Sequence, residues 1–322
     1  MISVIVPSRN AAHSITACVT ALCQQQDVPL PYEVIVVADG CTDATADLAE
    51  AAGATVLRQP PNGPSAARNT GLRAAQGDIV CFTDADCVPR PDWLAAMIAP
   101  LQSDPEVVGV KGIYTTHQKE IAARFVQLEY EDKYDRLRNY DHLSFMDSYS
   151  AACRRQVLLD IGGFDEHFKT ASVEDRELSY RLAAKGYKMV FQPTAVVAHS
   201  HTNSLAGYAR KKFFNGYWNA RVLRQFPERL IEDTYTPHVQ KLQILLMGLL
   251  LALGVTAVLI PLLWPLYVLV ALLFLATTMP FVRKAWAKDR PVAVIAPFML
   301  AVRGLALGVG YLCGLLNVNV RP

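Results

Sequence analysis

From Leu242 to Val282 the chain contains no Asp, Glu, Lys, Arg or His. An uncharged apolar run of that length is about twice the ~20 residues that one bilayer-crossing helix needs, so this end of the molecule is built for a membrane. It also accounts for the composition, in which 52% of residues are hydrophobic and only 19% charged. The remainder reads differently. With 31 Lys+Arg against 29 Asp+Glu the formal charge is +2, which excludes a globally basic nucleic-acid binder and an acidic disordered tail. The seven cysteines are scattered singly without C-x-x-C pairs, which argues against structural zinc and against a disulfide framework. Met1 to Arg9 has neither a cationic start nor a long apolar core, so the N-terminal part is expected to stay in the cytosol.

The first 200 or so residues alternate short β-branched runs with helical patterns, the sequence form of an α/β domain with a mainly parallel sheet. The strand candidates are Ile2 to Val6, Glu33 to Val37, Thr55 to Leu57 and Asp78 to Phe82. Each is continuous enough to be buried on both faces. Thr42 can cap a helix through Ala44 to Ala52, and Ser65 can open another that ends at Gly77. Parallel strands joined in this way leave a crevice at their carboxyl ends, where the loops after strands 1, 2 and 4 converge. A second half follows, with a helix from about Glu120 to Arg138, a segment from Ser148 to Cys153, and a helix from about Glu174 to Lys185 ended by Gly186.

Neither a G-x-G-x-x-G after the first strand nor a G-x-x-x-x-G-K-[ST] is present, so dinucleotide-binding and P-loop chemistries lose their main support. Carboxylates stand at the strand ends instead: Asp39 after the second strand, Asp84 and Asp86 after the fourth, and Glu174-Asp175 at a helix start. Such groups can bind a hard divalent cation or hydrogen-bond a ribose and base. Singly, each is a weak signal: the D-x-D reads more often as a solvated turn, Asp39-Gly40 as a turn and Glu174-Asp175 as an acidic first helical turn. Together they form an ordered series. It runs Val4-Ile5-Val6-Pro7-Ser8-Arg9-Asn10, Ala38-Asp39-Gly40-Cys41-Thr42-Asp43, Ala67-Arg68-Asn69-Thr70-Gly71, Thr83-Asp84-Ala85-Asp86, Gly162-Gly163-Phe164-Asp165-Glu166 and Glu174-Asp175.

This series resembles the family 2 inverting glycosyltransferases with the GT-A fold, over residues 2 to about 205. The resemblance implies a Rossmann-like nucleotide-diphospho-sugar domain in which Pro7 and Asp39 line the donor site, with Asp39 on the base. Asp84 would meet the ribose or a metal-bound water, and Asp86 the Mg²⁺ or Mn²⁺ that bridges the diphosphate. Arg68 would add positive charge beside the leaving group, or stand on a helix surface. Asp175 would be the base that deprotonates the acceptor hydroxyl, with Glu174 in support. Asp165 would contact the acceptor sugar. His199 and His201 end an apolar strand and can complete a metal shell or form a polar strand end, His199 being the preferred ligand. The chain departs from the family where Ala38-Asp39 replaces a pair of acids. The Q-x-x-R-W motif of processive synthases is absent, so a single addition is expected.

The expected organisation is a catalytic domain at 1–205, an amphipathic interfacial segment at 206–241 and a transmembrane region at 242–322 with about three helices. The interfacial segment interleaves Tyr208, Phe213, Phe214, Tyr217, Trp218 and Phe226 with Arg210, Lys211, Lys212, Arg221 and Arg224, which suits an anionic leaflet or packing on the domain. Spans are expected over Val239 to Ile260, Leu262 to Val282 and Val292 to Leu316. Arg283, Lys284, Lys288 and Arg290 between the last two put that loop and the catalytic domain in the cytosol, and the C-terminus outside. Arg303 sits mid-span, where a charge costs roughly 2.5–3.5 kcal/mol, and calls for compensation by a lipid phosphate, by snorkelling, or by a segment that only dips into the leaflet.

The expected function is transfer of a sugar from a nucleotide-sugar donor to a lipid or lipid-linked glycan acceptor, at the cell (inner or plasma) membrane and without nucleic acid. A polyprenyl-phosphate acceptor and a catalytically idle nucleotide-sugar-binding membrane subunit are the other readings of the same residues.

Overall fold

The structure is a computed structural model that describes residues 1–168, 172–231, 233–234, 236–318 and 320. Among the described residues the chain forms eight strands and eleven α-helices. In order these are β1 (Ile2–Ser8), α1 (Ile15–Cys23), β2 (Tyr32–Asp39), α2 (Thr45–Ala51), β3 (Thr55–Gln59), α3 (Pro64–Ala74), β4 (Ile79–Thr83), β5 (Cys87–Pro89), α4 (Trp93–Ser103), β6 (Val107–Thr115) and α5 (Ile121–Leu137). There follow β7 (Ser150–Arg154), α6 (Arg155–Asp160), α7 (Glu174–Ala184), β8 (Lys188–His199), α8 (Leu205–Gln225), α9 (His238–Leu259), α10 (Trp264–Lys288) and α11 (Arg290–Leu315). The chain divides into two compact units, Met1–His117 with Lys133–Ser200, and Gln118–Asp132 with His201–Pro322.

The first unit is an eight-stranded sheet in the order β3-β2-β1-β4-β7-β6-β8-β5. β3, β2, β1 and β4 pair in parallel, as their near-continuous apolar runs predict. Beyond them the sheet is mixed: β7 lies antiparallel between β4 and β6, β6 pairs in parallel with β8, and β5 is antiparallel to β8. β1 and β4 are buried along almost their whole length, but β3 is the sheet edge and stays half-exposed, contrary to the expectation of burial on both faces. Pro7 lies in β1 beyond Ile5, where the β4 ladder has ended, so its missing N–H is not needed on that side.

Two loops depart from their sequence reading for a local reason. Thr42 does not cap α2; its N–H donates to the Asn10 side chain at 2.8 Å, and Thr45 Oγ1 accepts the Ala11 N–H at 2.7 Å. These bonds stitch the loop after β1 to the loop after β2 and delay the helix to Thr45. α3 follows Gly63 at φ 95° with Pro64 in its first turn, and Gly71 lets it lie on β1, since a Cβ there would come within 2.5 Å of Ile5.

The second unit holds α8 to α11 and the first part of α5. Its buried apolar cluster runs through Phe125, Tyr208, Leu246, Phe274, Ala293, Ala296 and Leu300. The helices His238–Leu259, Pro261–Lys288 and Arg290–Leu315 are each long and apolar enough to cross a membrane. Arg303 is compensated within the protein: its guanidinium donates to Glu129 at 2.8 Å and to Gln243 at 2.6 Å, so a lipid phosphate, one of the three compensations the sequence allows, is not needed. Glu129 also accepts from Tyr208 at 3.0 Å and pairs with Lys212 at 3.1 Å.

Candidate active site

The strand ends deliver the carboxylates. β4 stops at Thr83, the turn carries Asp84, Ala85 and Asp86, and β5 resumes at Cys87. Because Cys87 is the antiparallel partner of His199 in β8, the histidine is brought beside Asp86, with Nδ1 3.4 Å from Oδ1. Among the described residues Asp86, Cys87 and His199 form a group whose ligand atoms all lie within 4.8 Å of one another. The His199 ring stacks on Tyr114 at 4.5 Å, which holds its orientation. His201 points elsewhere, hydrogen-bonding Gln127 at 3.0 Å and stacking on Tyr130.

This donor set fits a hard divalent cation. Asp86 is a partly exposed carboxylate with an imidazole nitrogen beside it and Asp84 two residues away, which leaves room for phosphate and water oxygens. Cys87, which the sequence did not single out, contributes little charge, because burial pushes its thiol well above the ordinary value.

Arg68 stands at the centre of the site. It is buried, at 3% exposure, and its guanidinium donates to Asp84 at 3.0 Å and to Glu174 at 2.9 Å, while lying 5.4 Å from the ring centroid of Phe164. Far from occupying a helix surface, it ties the end of β4 to the start of α7. A planar fork with fixed donors can hold two carboxylates in this way, whereas a lysine offers a single point of attachment. Burial disfavours the Asp84 anion and raises its pKa, with Asp86 adding to the effect and Arg68 opposing it.

Asp175 follows Glu174 directly and accepts the Ser148 N–H at 3.3 Å. Burial, reinforced by the neighbouring Glu174 charge, pushes its carboxyl up to about 6, against the opposing pull of Arg68 and the Ser148 N–H. A carboxylate of that basicity, mostly ionised at neutral pH, is suited to accept a proton.

The glycine-rich loop is held from α3. Asn69 accepts the Phe164 N–H and donates to the Phe164 carbonyl, both at 2.8 Å, and also donates to Glu166 at 2.9 Å. Gly163, at φ 68°, passes so close to Asn69 that a side chain would collide with the amide oxygen. Beyond it, Asp165 accepts from the backbone and the ring of His167 at 2.9 and 2.7 Å. These bonds outweigh the opposing effect of partial burial and hold its carboxyl below the ordinary value.

Asp39 is buried at the end of β2 and accepts from Gln59 Nε2, Asn62 N and Gly63 N, each at 2.8 Å. It pins the turn before α3, and Gly40 at φ 64° permits the approach, since a Cβ there would come within 2.6 Å of Pro61. Three accepted bonds leave part of the carboxylate's capacity open, because an ionised carboxylate has about four lone-pair positions.

A polar knot behind the site was not legible in the sequence. Lys111 and Lys133, both buried, share Asp147, which precedes the Ser148 N–H that reaches Asp175. Burial drives Lys111 down to about 7, and Lys133 well below its ordinary value with Lys111 adding to the effect. Lys111 also donates to Tyr149 at 3.3 Å, whose ring stacks on Tyr114.

Residues 3–162 match the family model described as Glycosyl transferase family 2. The chain is 33% identical over 226 residues to the pre-mycofactocin glycosyltransferase of Mycobacterium tuberculosis, covering 67% of this chain and 46% of that protein. It is 26% identical over 211 residues to the glycosyltransferase AglE of Haloferax volcanii, covering 62% of this chain and 66% of the other. The chain thus spans about half to two thirds of these relatives. Among solved structures it is similar to the mannosyltransferase PcManGT from Pyrobaculum calidifontis in complex with GDP-Man and Mn²⁺. There the TM-score is 0.61 at 20% identity, over 99% of this chain and 88% of the other. The shared fold is the GT-A fold.

Replacing Arg68 with Ala leaves Glu174 buried without its cation, which is expected to cost about 3–5 kcal/mol. The check is the thermal unfolding midpoint of the purified protein in detergent, which should fall clearly for Arg68→Ala and less for Arg68→Lys. Unchanged midpoints in both would show that the bridge does not hold the site together.

Proposed function

Because the chain carries a glycosyl transferase family 2 domain, we propose that it transfers one sugar from a nucleotide-sugar donor to a hydroxyl or phosphate of a lipid or lipid-linked glycan, with inversion at the anomeric carbon. The observation that carries this reading is the continuous series Asp84, Arg68, Glu174, Asp175. It links carboxylates 91 positions apart in the chain into one site, with Asp86 and His199 at one end and a raised carboxyl at the other.

In this reading Pro7 and Asp39 line the nucleotide end, with Asp39 meeting the base and holding the turn that faces it. Asp84 meets the ribose. Asp86 and His199 hold Mg²⁺ or Mn²⁺, consistent with the Mn²⁺ in the PcManGT complex. When bound, the cation neutralises charge on the departing diphosphate. Arg68 keeps Asp84 and Glu174 in place and adds a fixed positive charge beside the donor site without reorganising during the reaction. Asp165 presents its carboxylate to the acceptor. Asp175 takes the proton from the acceptor oxygen as that oxygen forms its bond to the anomeric carbon. The bond to the diphosphate breaks on the opposite face, so a single displacement inverts the centre. Glu174, paired with Arg68, adds its nearby charge to the burial that keeps the Asp175 carboxyl basic. The apolar helices make the protein a multi-pass component of the cell membrane, and the basic residues around Lys284 and Lys288 favour a cytosolic catalytic unit.

The test is a donor screen with the purified protein in lipid, following nucleoside diphosphate release with and without lipid extract. Asp175→Asn should lower turnover by about 10²-fold or more while leaving donor binding intact. Unimpaired turnover removes Asp175 as the base, and no turnover with any donor in the wild type favours an idle binding subunit.

Since a protonated base cannot accept a proton, kcat/KM should fall as pH drops through about 6, with the carboxylate fully competent above it. A profile flat from pH 7 to pH 5 contradicts this assignment.

Chelation of divalent ions should abolish donor binding. Asp86→Ala should weaken Mn²⁺-dependent donor binding in calorimetry, and equal affinity with and without the ion would remove Asp86 from the metal site.

A further inference from the structure

α11 has the length and hydropathy of a membrane-crossing helix, but within the second unit it runs along α8 and crosses α9. We infer that only α9 and α10 cross the bilayer, and that α11 pairs with α8 as a two-helix raft. The raft's partner is the lipid leaflet at which α9 begins.

The ends of α11 locate it. α9 and α10 form a hairpin, with Gln243 donating to the Thr277 carbonyl at 3.2 Å and Gly254 lying against Tyr267, so α10 returns toward the side from which α9 departs. There Lys284 pairs with Asp132, and Asp289, which caps α11, is held by Arg124. At the other end, Arg224 in the last turn of α8 bonds the Leu315 carbonyl, and Tyr217 donates to the Val318 carbonyl at 3.1 Å. Only five residues beyond α8, the Leu230 carbonyl accepts from Lys241 in the first turn of α9 at 2.6 Å. Both ends of α11 are therefore tied to the side where α9 starts.

The middle agrees. Gly304 faces Gln243 and Met247, and one turn further on Gly308 faces Ile244, so advancing along α11 makes no progress along α9. The two helices cross rather than run side by side. Arg303 is bonded to Gln243, in the second turn of α9.

α8 sets the depth. A side chain at Gly310 would strike the Phe213 carbonyl, one at Gly314 the Tyr217 carbonyl, and one at Gly216 the Leu307 carbonyl, so the two backbones run together in the same direction. α8 carries Arg210, Lys211, Lys212, Arg221 and Arg224, and the connection to α9 carries Glu228, Arg229 and Asp233. Sinking α11 across the bilayer would draw these charges into hydrocarbon, at roughly 2.5–3.5 kcal/mol for each of them placed at the centre. At the interface the exposed cations Arg210, Lys211 and Arg221 meet lipid phosphates, while Lys212 stays on Glu129. The exposed large apolar residues of α11, Val294, Phe298, Val309 and Leu312, recur at helical spacing on one face, as a half-sunk helix requires.

The test uses the full chain with Cys23, Cys41 and Cys313 replaced by Ser. Single substitutions Ile231→Cys, Leu262→Cys and Val318→Cys are labelled with a membrane-impermeant maleimide in right-side-out and inverted membrane vesicles. Val318→Cys should label from the same side as Ile231→Cys, and Leu262→Cys from the opposite side. Labelling of Val318→Cys together with Leu262→Cys overturns the proposal. Should the variants at the ends fail to fold, fluorophores at Val294, Phe298, Val309 and Leu312 give an independent reading through quenching by lipids spin-labelled at known depths, in vesicles of phosphatidylglycerol and phosphatidylcholine. Similar shallow depths at all four support the raft. Depths that are greatest near the middle of α11 and shallow at its ends, or no quenching because a protein covers this face, overturn it.

Discussion

A guanidinium held between two carboxylates organises the rest of the active site. Arg68 emerges from α3, Asp84 from the end of β4 and Glu174 from the start of α7, and none of these elements touches another through sequence proximity. The bridge converts three separate chain segments into one wall. It satisfies Glu174, which would otherwise be a buried unpaired charge, and it leaves Asp175 as the residue whose ionisation is discouraged. The same α3 turn supplies Asn69, whose amide clamps the loop at Phe164, so two adjacent residues of one helix set both the acidic pair and the glycine-rich loop.

The knot of Lys111, Lys133 and Asp147 performs a related task from behind. On one side it positions the loop whose Ser148 N–H reaches Asp175. On the other, Lys111 holds Tyr149 against Tyr114, and Tyr114 stacks on His199. Asp175 and His199 therefore rest on one buried support. Buried polar groups are costly unless satisfied, which is why the support is built as a connected network rather than as isolated pairs.

In the membrane-facing unit the organising feature is close backbone approach. Glycines at 216, 310 and 314 let α8 and α11 run together at a separation no larger residue allows, and the Glu129 carboxylate collects Lys212, Tyr208 and Arg303 where the helices meet α5. A cation in an apolar helix is thus neutralised by the protein itself.

Much of this was open to reading from the chain alone. Buried strands, acids at strand ends, the Gly-Gly turn and the uncharged C-terminal run follow from local periodicity and residue chemistry, which act over a few positions and so are written in order along the sequence. Tertiary structure alone decided the antiparallel insertion of β7, the Cys87–His199 register that carries one histidine rather than the other to Asp86, the Asn69 clamp, the Lys111–Asp147 pair, and the close pairing of α8 with α11. These depend on contacts between residues tens to hundreds of positions apart. The energy of such a contact is set by the shape and burial of both partners once the chain has closed, and no local pattern carries that information.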